Sequence, residues 1–95
     1  MNDELFDWDD ANISHLAAHE VFPEEAEDAI LAEPVDVGFD VVEGEERWSY
    51  VGATHENRIL RIVITMRGVR IRVLTAFVPS KQQRNFYLQW KAGLR

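Results

Sequence analysis

Two alternating runs joined at one glycine constrain this chain more than any other feature. Leu60, Ile62, Ile64 and Met66 alternate with Arg61, Val63, Thr65 and Arg67; after Gly68, Val69, Ile71, Val73 and Thr75 alternate with Arg70, Arg72, Leu74 and Ala76. A period of two puts each apolar set on one face of an extended strand, and a two-residue turn at the glycine joins the strands as a hairpin. A turn at Arg67-Gly68 or at Gly68-Val69 matches apolar to apolar in either register. The second places Arg67 opposite Arg70, so like-charge repulsion favours the first. In both, Arg61, Arg70 and Arg72 emerge on the face away from the helices.

The segments around this hairpin read as α+β. Leu5, Phe6 and Trp8 form a short extended opening, and Asp9 or Asp10 caps a first helix of about ten residues whose apolar face is Ile13, Leu16 and Ala17. Pro23 opens a second helix that buries Ala26, Ala29, Ile30 and Leu31, with Glu24, Glu25, Glu27 and Asp28 complementing its dipole. Strands are expected over Val35–Val41, Arg47–Ala53, Asn57–Arg67 and Val69–Phe77, and the acidic segment Val42–Arg47 is expected to be irregular. Ser80 and Gln83 give a capping-box pattern for a last helix. Phe86, Tyr87, Trp90 and Leu94 make its packing stripe, Arg84, Lys91 and Arg95 its basic edge, and Leu88 lies exposed among them. The expected fold is two N-terminal helices, a three- to four-stranded antiparallel sheet and a C-terminal helix in one domain, residues 1–95.

Composition excludes several classes. With no Cys there is no disulfide, thiolate zinc site or cysteine nucleophile. The acidic N-terminus is unlike a signal peptide and no apolar run approaches the roughly 18 residues of a membrane span, so a cytoplasmic protein is expected. The charge is sorted along the chain: residues 1–50 carry 16 acids against Arg47 alone, and residues 51–95 carry nine Lys or Arg against Glu56 alone. An acidic total of −7 thus hides a basic half able to track a phosphate backbone. The alternative is a dipolar surface that serves solubility.

Two stretches carry a family resemblance. FDWDDANISHLAAHEVFPEEAEDAI resembles the opening of BrnT-type toxins, and RILRIVITMRGVRIRVLTAFVPSKQQRNFY is similar to their paired strands and closing helix. The resemblance implies a RelE-like fold and an RNA-cleaving toxin of a type II toxin-antitoxin pair. It also implies neutralisation by a BrnA-type antitoxin, with operator DNA bound only through that antitoxin. The matching positions are Trp8, Asp9, Asn12, His19, Arg61, Arg70, Arg72, Ser80, Arg84 and Tyr87, several of which can mark the fold instead of the chemistry. Glu20 stands where relatives have glycine after the histidine, which places a left-handed residue at the end of the first helix. Phe22 stands where many have a Ser or Thr cap.

Metal-free RNA cleavage needs a base for the 2′-hydroxyl, cations for the phosphate and an acid for the leaving oxygen. Arg61, Arg70, Arg72, Tyr87 and His19 are the candidate catalytic residues, and Arg67, Arg84, Lys81 and Lys91 the candidate RNA contacts. Each has a plain alternative: solvated strand arginines paired with the acidic half, a helix-capping His19, and a Tyr87 ring in the core with its polar tip at the rim. His15 and His19 share a helix face, but two ligands without a third are too few for a metal, so neither metal nor cofactor is expected. Trp8 and Trp90 are expected in the core. Trp48 and Tyr50 share a strand face, as a platform for bases if open or as core if covered. The rival function is a non-catalytic interaction module on the same fold.

Overall fold

Local signals set the helix starts. In the computed structural model, which describes residues 2–93, Asp9 caps α1 (Asp10–Ala17) by accepting from the N–H groups of Ala11 and Asn12. Asn12 returns the bond, its Oδ1 accepting from Asp9 N–H at 2.8 Å. Pro23 begins α2 (Pro23–Leu31). Phe22 has no side-chain acceptor, and only the reciprocal bond forms there, from Phe22 N–H to Glu25 Oε1 at 3.0 Å. Ser80 caps α3 (Lys81–Lys91) by accepting from Gln83 N–H. Leu94 and Arg95, expected on the stripe and basic edge of α3, lie outside the described residues.

Between α2 and α3 run β1 (Val35–Val42), β2 (Glu45–Ala53), β3 (Ile59–Arg67) and β4 (Arg70–Phe77), one antiparallel sheet in the order β1-β2-β3-β4. The segment expected to be irregular is instead the tight β1–β2 turn. Glu43 and Gly44 both adopt positive φ, 51° and 81°, as a primed two-residue turn demands, and pairing runs up to Val42 and Glu45. The extended N-terminal segment lies along the free edge of β4: Asp7 N–H donates to the Ile71 carbonyl and Ile71 N–H to the Leu5 carbonyl.

The β3–β4 hairpin takes the other register from the one repulsion favours. Its turn is Gly68-Val69, and Arg67 does face Arg70. The repulsion is relieved because each guanidinium has its own acceptor: Arg67 donates to Glu45 at 3.0 Å and Arg70 to the Phe6 carbonyl at 2.8 Å. Further along, Val63 pairs with Thr75 and Ile64 with Val73, so Leu74 is an extra residue, a β-bulge. The bulge reverses the alternation beyond it. Ala76 turns into the core where Thr75 was expected, and Phe77 turns out beside Arg61.

One face of the sheet packs on α1 and α2. Leu16, Val21, Ala26 and Ala29 meet Leu60, Ile62, Ile64, Val73 and Ala76, with Phe6 closing the edge. Trp48 and Tyr50 are partly buried on this side, so the covered alternative holds. Gly52 is required here, since a Cβ would lie 2.4 Å from the Ala29 carbonyl oxygen of α2. Leu31, expected in the buried stripe, is exposed, and its place is taken by Glu27, whose carboxylate accepts from Trp8 Nε1 at 2.7 Å. The other face is not free of helices. On it α3 seats Tyr87 against Val35 and Val51. Of its expected stripe only Tyr87 is buried among the described residues; Phe86 and Trp90 are exposed, Trp90 by 39%, which corrects its placement in the core.

Candidate active site

Register builds the site. Val35, Val51, Arg61 and Phe77 are successive cross-strand partners and form one row across the face that carries α3. Tyr87 covers the β1–β2 end of this row. At the β4 end, the His19 ring lies 5.8 Å from Phe77 and the His15 ring 5.6 Å from His19. The Arg61 guanidinium sits 5.8 Å from the Phe77 ring centre, a cation–π placement. An imidazole and a guanidinium therefore share one aromatic ring, and the Arg61 Nε is buried without a hydrogen-bond partner.

The remaining arginines of the sheet are engaged elsewhere. Arg72, with 13% of its side chain exposed, bonds Asp7 at 3.3 Å and Asp9 at 3.0 Å. Hydrogen bonding from Arg72, with help from the backbone of Asn12, holds the Asp9 carboxyl below its ordinary value, and the same bond raises Arg72. Arg70 donates to the Phe6 carbonyl and lies 3.8 Å from Asp7. Arg67 and Arg47 share Glu45, whose carboxyl is lowered chiefly by Arg67. Arg58 pairs with Glu25, and Lys91 bonds the Glu33 carbonyl. Much of the basic half is thus neutralised by the acidic half. Among the described residues, its basic side chains without an ion pair are Arg61, Lys81 and Arg84.

None of Glu24, Glu25, Glu27 and Asp28 pairs with Arg61, Arg70 or Arg72; it is Asp7 and Asp9 that do. Arg84, Tyr87 and Lys91 come together with Asn57 and Ile59 around a hollow of about 400 Å³. Burial pushes the Tyr87 hydroxyl up, so it stays protonated at neutral pH. Phe77 was not singled out from sequence, because the bulge that turns it outward has no sequence signal.

The family-pattern residues divide by task. Trp8 is anchored to Glu27, Asp9 caps α1 and holds Arg72, and buried Asn12 donates to the Asp7 and Val73 carbonyls at 2.9 and 3.1 Å. Ser80 caps α3. His19, Arg61 and Arg84 have no polar side-chain partner among the described residues. A model of the family described as "Ribonuclease toxin, BrnT, of type II toxin-antitoxin system" matches residues 8–83. The chain belongs to the BrnT family. Its members are ribonuclease toxins of type II toxin-antitoxin systems, which implies an RNA substrate and an antitoxin partner. No curated protein matches the chain. The BrnT match spans both the Trp8-Asp9-Asn12 anchor and the Arg61–Phe77–His19 row. No helix among the described residues is long and apolar enough to cross a membrane.

Proposed function

We propose that the chain is a cytoplasmic endoribonuclease toxin, neutralised by a BrnA-type antitoxin, that cleaves RNA by acid–base chemistry across the Tyr87–Arg61–His19 row. The observation that carries this is the sharing of the Phe77 ring by Arg61 and His19, both without other polar side-chain partners among the described residues. His19 takes the 2′-hydroxyl proton as that oxygen bonds to the adjacent phosphorus. Arg61 holds the phosphate oxygens as charge builds, and Arg84 and Lys81 track the neighbouring backbone. As the P–O5′ bond breaks, the leaving oxygen takes its proton from Tyr87. His19 stands at the β4 end of the row and Tyr87 at its β1–β2 end, with Arg61 on β3 between them. Arg70 and Arg72 act on this arrangement by fixing the N-terminal segment and the start of α1, and Lys91 extends the basic rim; Arg67, at the far end of β3 and paired with Glu45, stands apart from it.

A non-catalytic interaction module is favoured by one feature, the occupation of Arg70 and Arg72 by Asp7 and Asp9. Induced expression separates the two. The toxin reading expects growth arrest by the wild type that Arg61→Ala and His19→Ala each abolish, with folded protein accumulating. Arrest by both variants as by the wild type contradicts it.

A further inference from the structure

Beyond α1 and α2 the helix-side face of the sheet continues uncovered. Phe39 and Val41 on β1 are 55% and 53% exposed, and Met66 on β3 is 41% exposed. These side chains are joined in one strip: the Phe39 ring lies 5.5 Å from Trp48, and Trp48 and Met66 line an open hollow of about 390 Å³ with Glu43, Glu46 and the mutually paired Glu45 and Arg67. Along this strip β1 is the outermost strand of the sheet, paired on one side alone. Phe22 and Val69 sit singly at a helix start and in a turn, whereas Phe86 and Trp90 of α3 form a second exposed apolar pair, their ring centres 6.3 Å apart, without an acidic rim of this kind.

The rim of the strip is acidic. Glu43 and Glu46 line the hollow and Asp36 stands across from Tyr50 on the same face; all three are exposed, and none forms an ion pair among the described residues. A second copy of the chain would bring the same carboxylates against one another, and RNA would be repelled in the same way. The charge fits a protein segment with apolar anchors flanked by Lys and Arg.

We propose that the strip Phe39, Val41, Trp48 and Met66 is the docking surface for the antitoxin, received as a basic segment with apolar side chains lying along β1. This rests on the toxin reading above, and it places neutralisation on the face opposite the catalytic row. The antitoxin then acts without filling that row.

The test uses the full chain and its cognate antitoxin, both purified, with Kd measured at two salt concentrations. Phe39→Asp with Val41→Asp is expected to weaken binding at least tenfold. Glu43→Lys with Glu46→Lys is expected to weaken it and to flatten its salt dependence. Both double variants should keep the wild-type melting temperature and arrest growth, and the antitoxin should no longer rescue them. Met66→Lys provides a third variant on a different strand should the β1 changes disturb folding. Wild-type Kd for all three variants, or no binding by the wild type, overturns the proposal. A wild type that binds in this way yet neither arrests growth nor cuts RNA overturns the toxin reading and leaves the docking surface standing.

Discussion

At the scale of single residues, several positions of the family pattern serve architecture, and so does the backbone at Glu20. Its φ is 59°, and the bonds from Glu20 N–H to the Ala17 carbonyl and from Val21 N–H to the Leu16 carbonyl make a Schellman ending for α1. Leu16 and Val21, both buried, supply the hydrophobic contact of that motif. A left-handed backbone costs a side chain that glycine does not carry, so Glu20→Gly should raise stability by about 1 kcal/mol in urea unfolding. A lower midpoint would show that the glutamate contributes something beyond its backbone. Asp9 predicts a pH dependence. Its folded pKa is depressed, so the stability it contributes is present above its ordinary value of 3.8 and is lost as pH falls through the lower folded value. Asp9→Asn keeps a capping oxygen and loses the charge. It should melt below the wild type near pH 6, and the gap should close near pH 2.

At the scale of elements, the fold depends on a few close approaches. Gly52 of β2 lies against the Ala29 carbonyl of α2, and backbone cannot yield as a flexible side chain can. Gly52→Ala should therefore cost about 1–3 kcal/mol by overpacking, read as a fall in the unfolding midpoint. Gly38→Ala should be nearly neutral, because its Cβ would meet the Ser49 Cβ at an ordinary 4.0 Å. Strand and helix identities were legible in the sequence because alternation, Pro23, Ser80 and Asp9 act locally. The hairpin register was not, because the repulsion between Arg67 and Arg70 is relieved by Glu45 and by the Phe6 carbonyl, which are remote in sequence. Arg61 and His19 could be picked out by residue type and family pattern. Their meeting at Phe77 depends on the Leu74 bulge, which alternation conceals.

At the scale of the whole molecule, the sorting of charge along the chain does not become two opposed faces. The acidic N-terminal segment lies along β4 and neutralises Arg70 and Arg72, and the acids of α2 meet Arg58 and His55. What remains is a small cationic set on the α3 side and an acidic apolar strip on the other. Raising salt should therefore weaken RNA binding with a shallow slope, set by the few unpaired cations and not by all nine basic residues of the second half. A titration of a short RNA against salt checks this, and a slope near that of nine contacts would mean that Asp7, Asp9, Glu25, Glu33 and Glu45 all give up their cations on binding. The most direct measurement is the rate at which the purified chain cuts RNA, compared among the wild type, His19→Ala, Arg61→Ala and Arg72→Ala. The account predicts a fall of at least about 100-fold for the first two variants at unchanged melting temperature, and for Arg72→Ala a lower melting temperature with cleavage retained while folded. Wild-type rates in His19→Ala and Arg61→Ala, with the loss confined to Arg72→Ala, would contradict it.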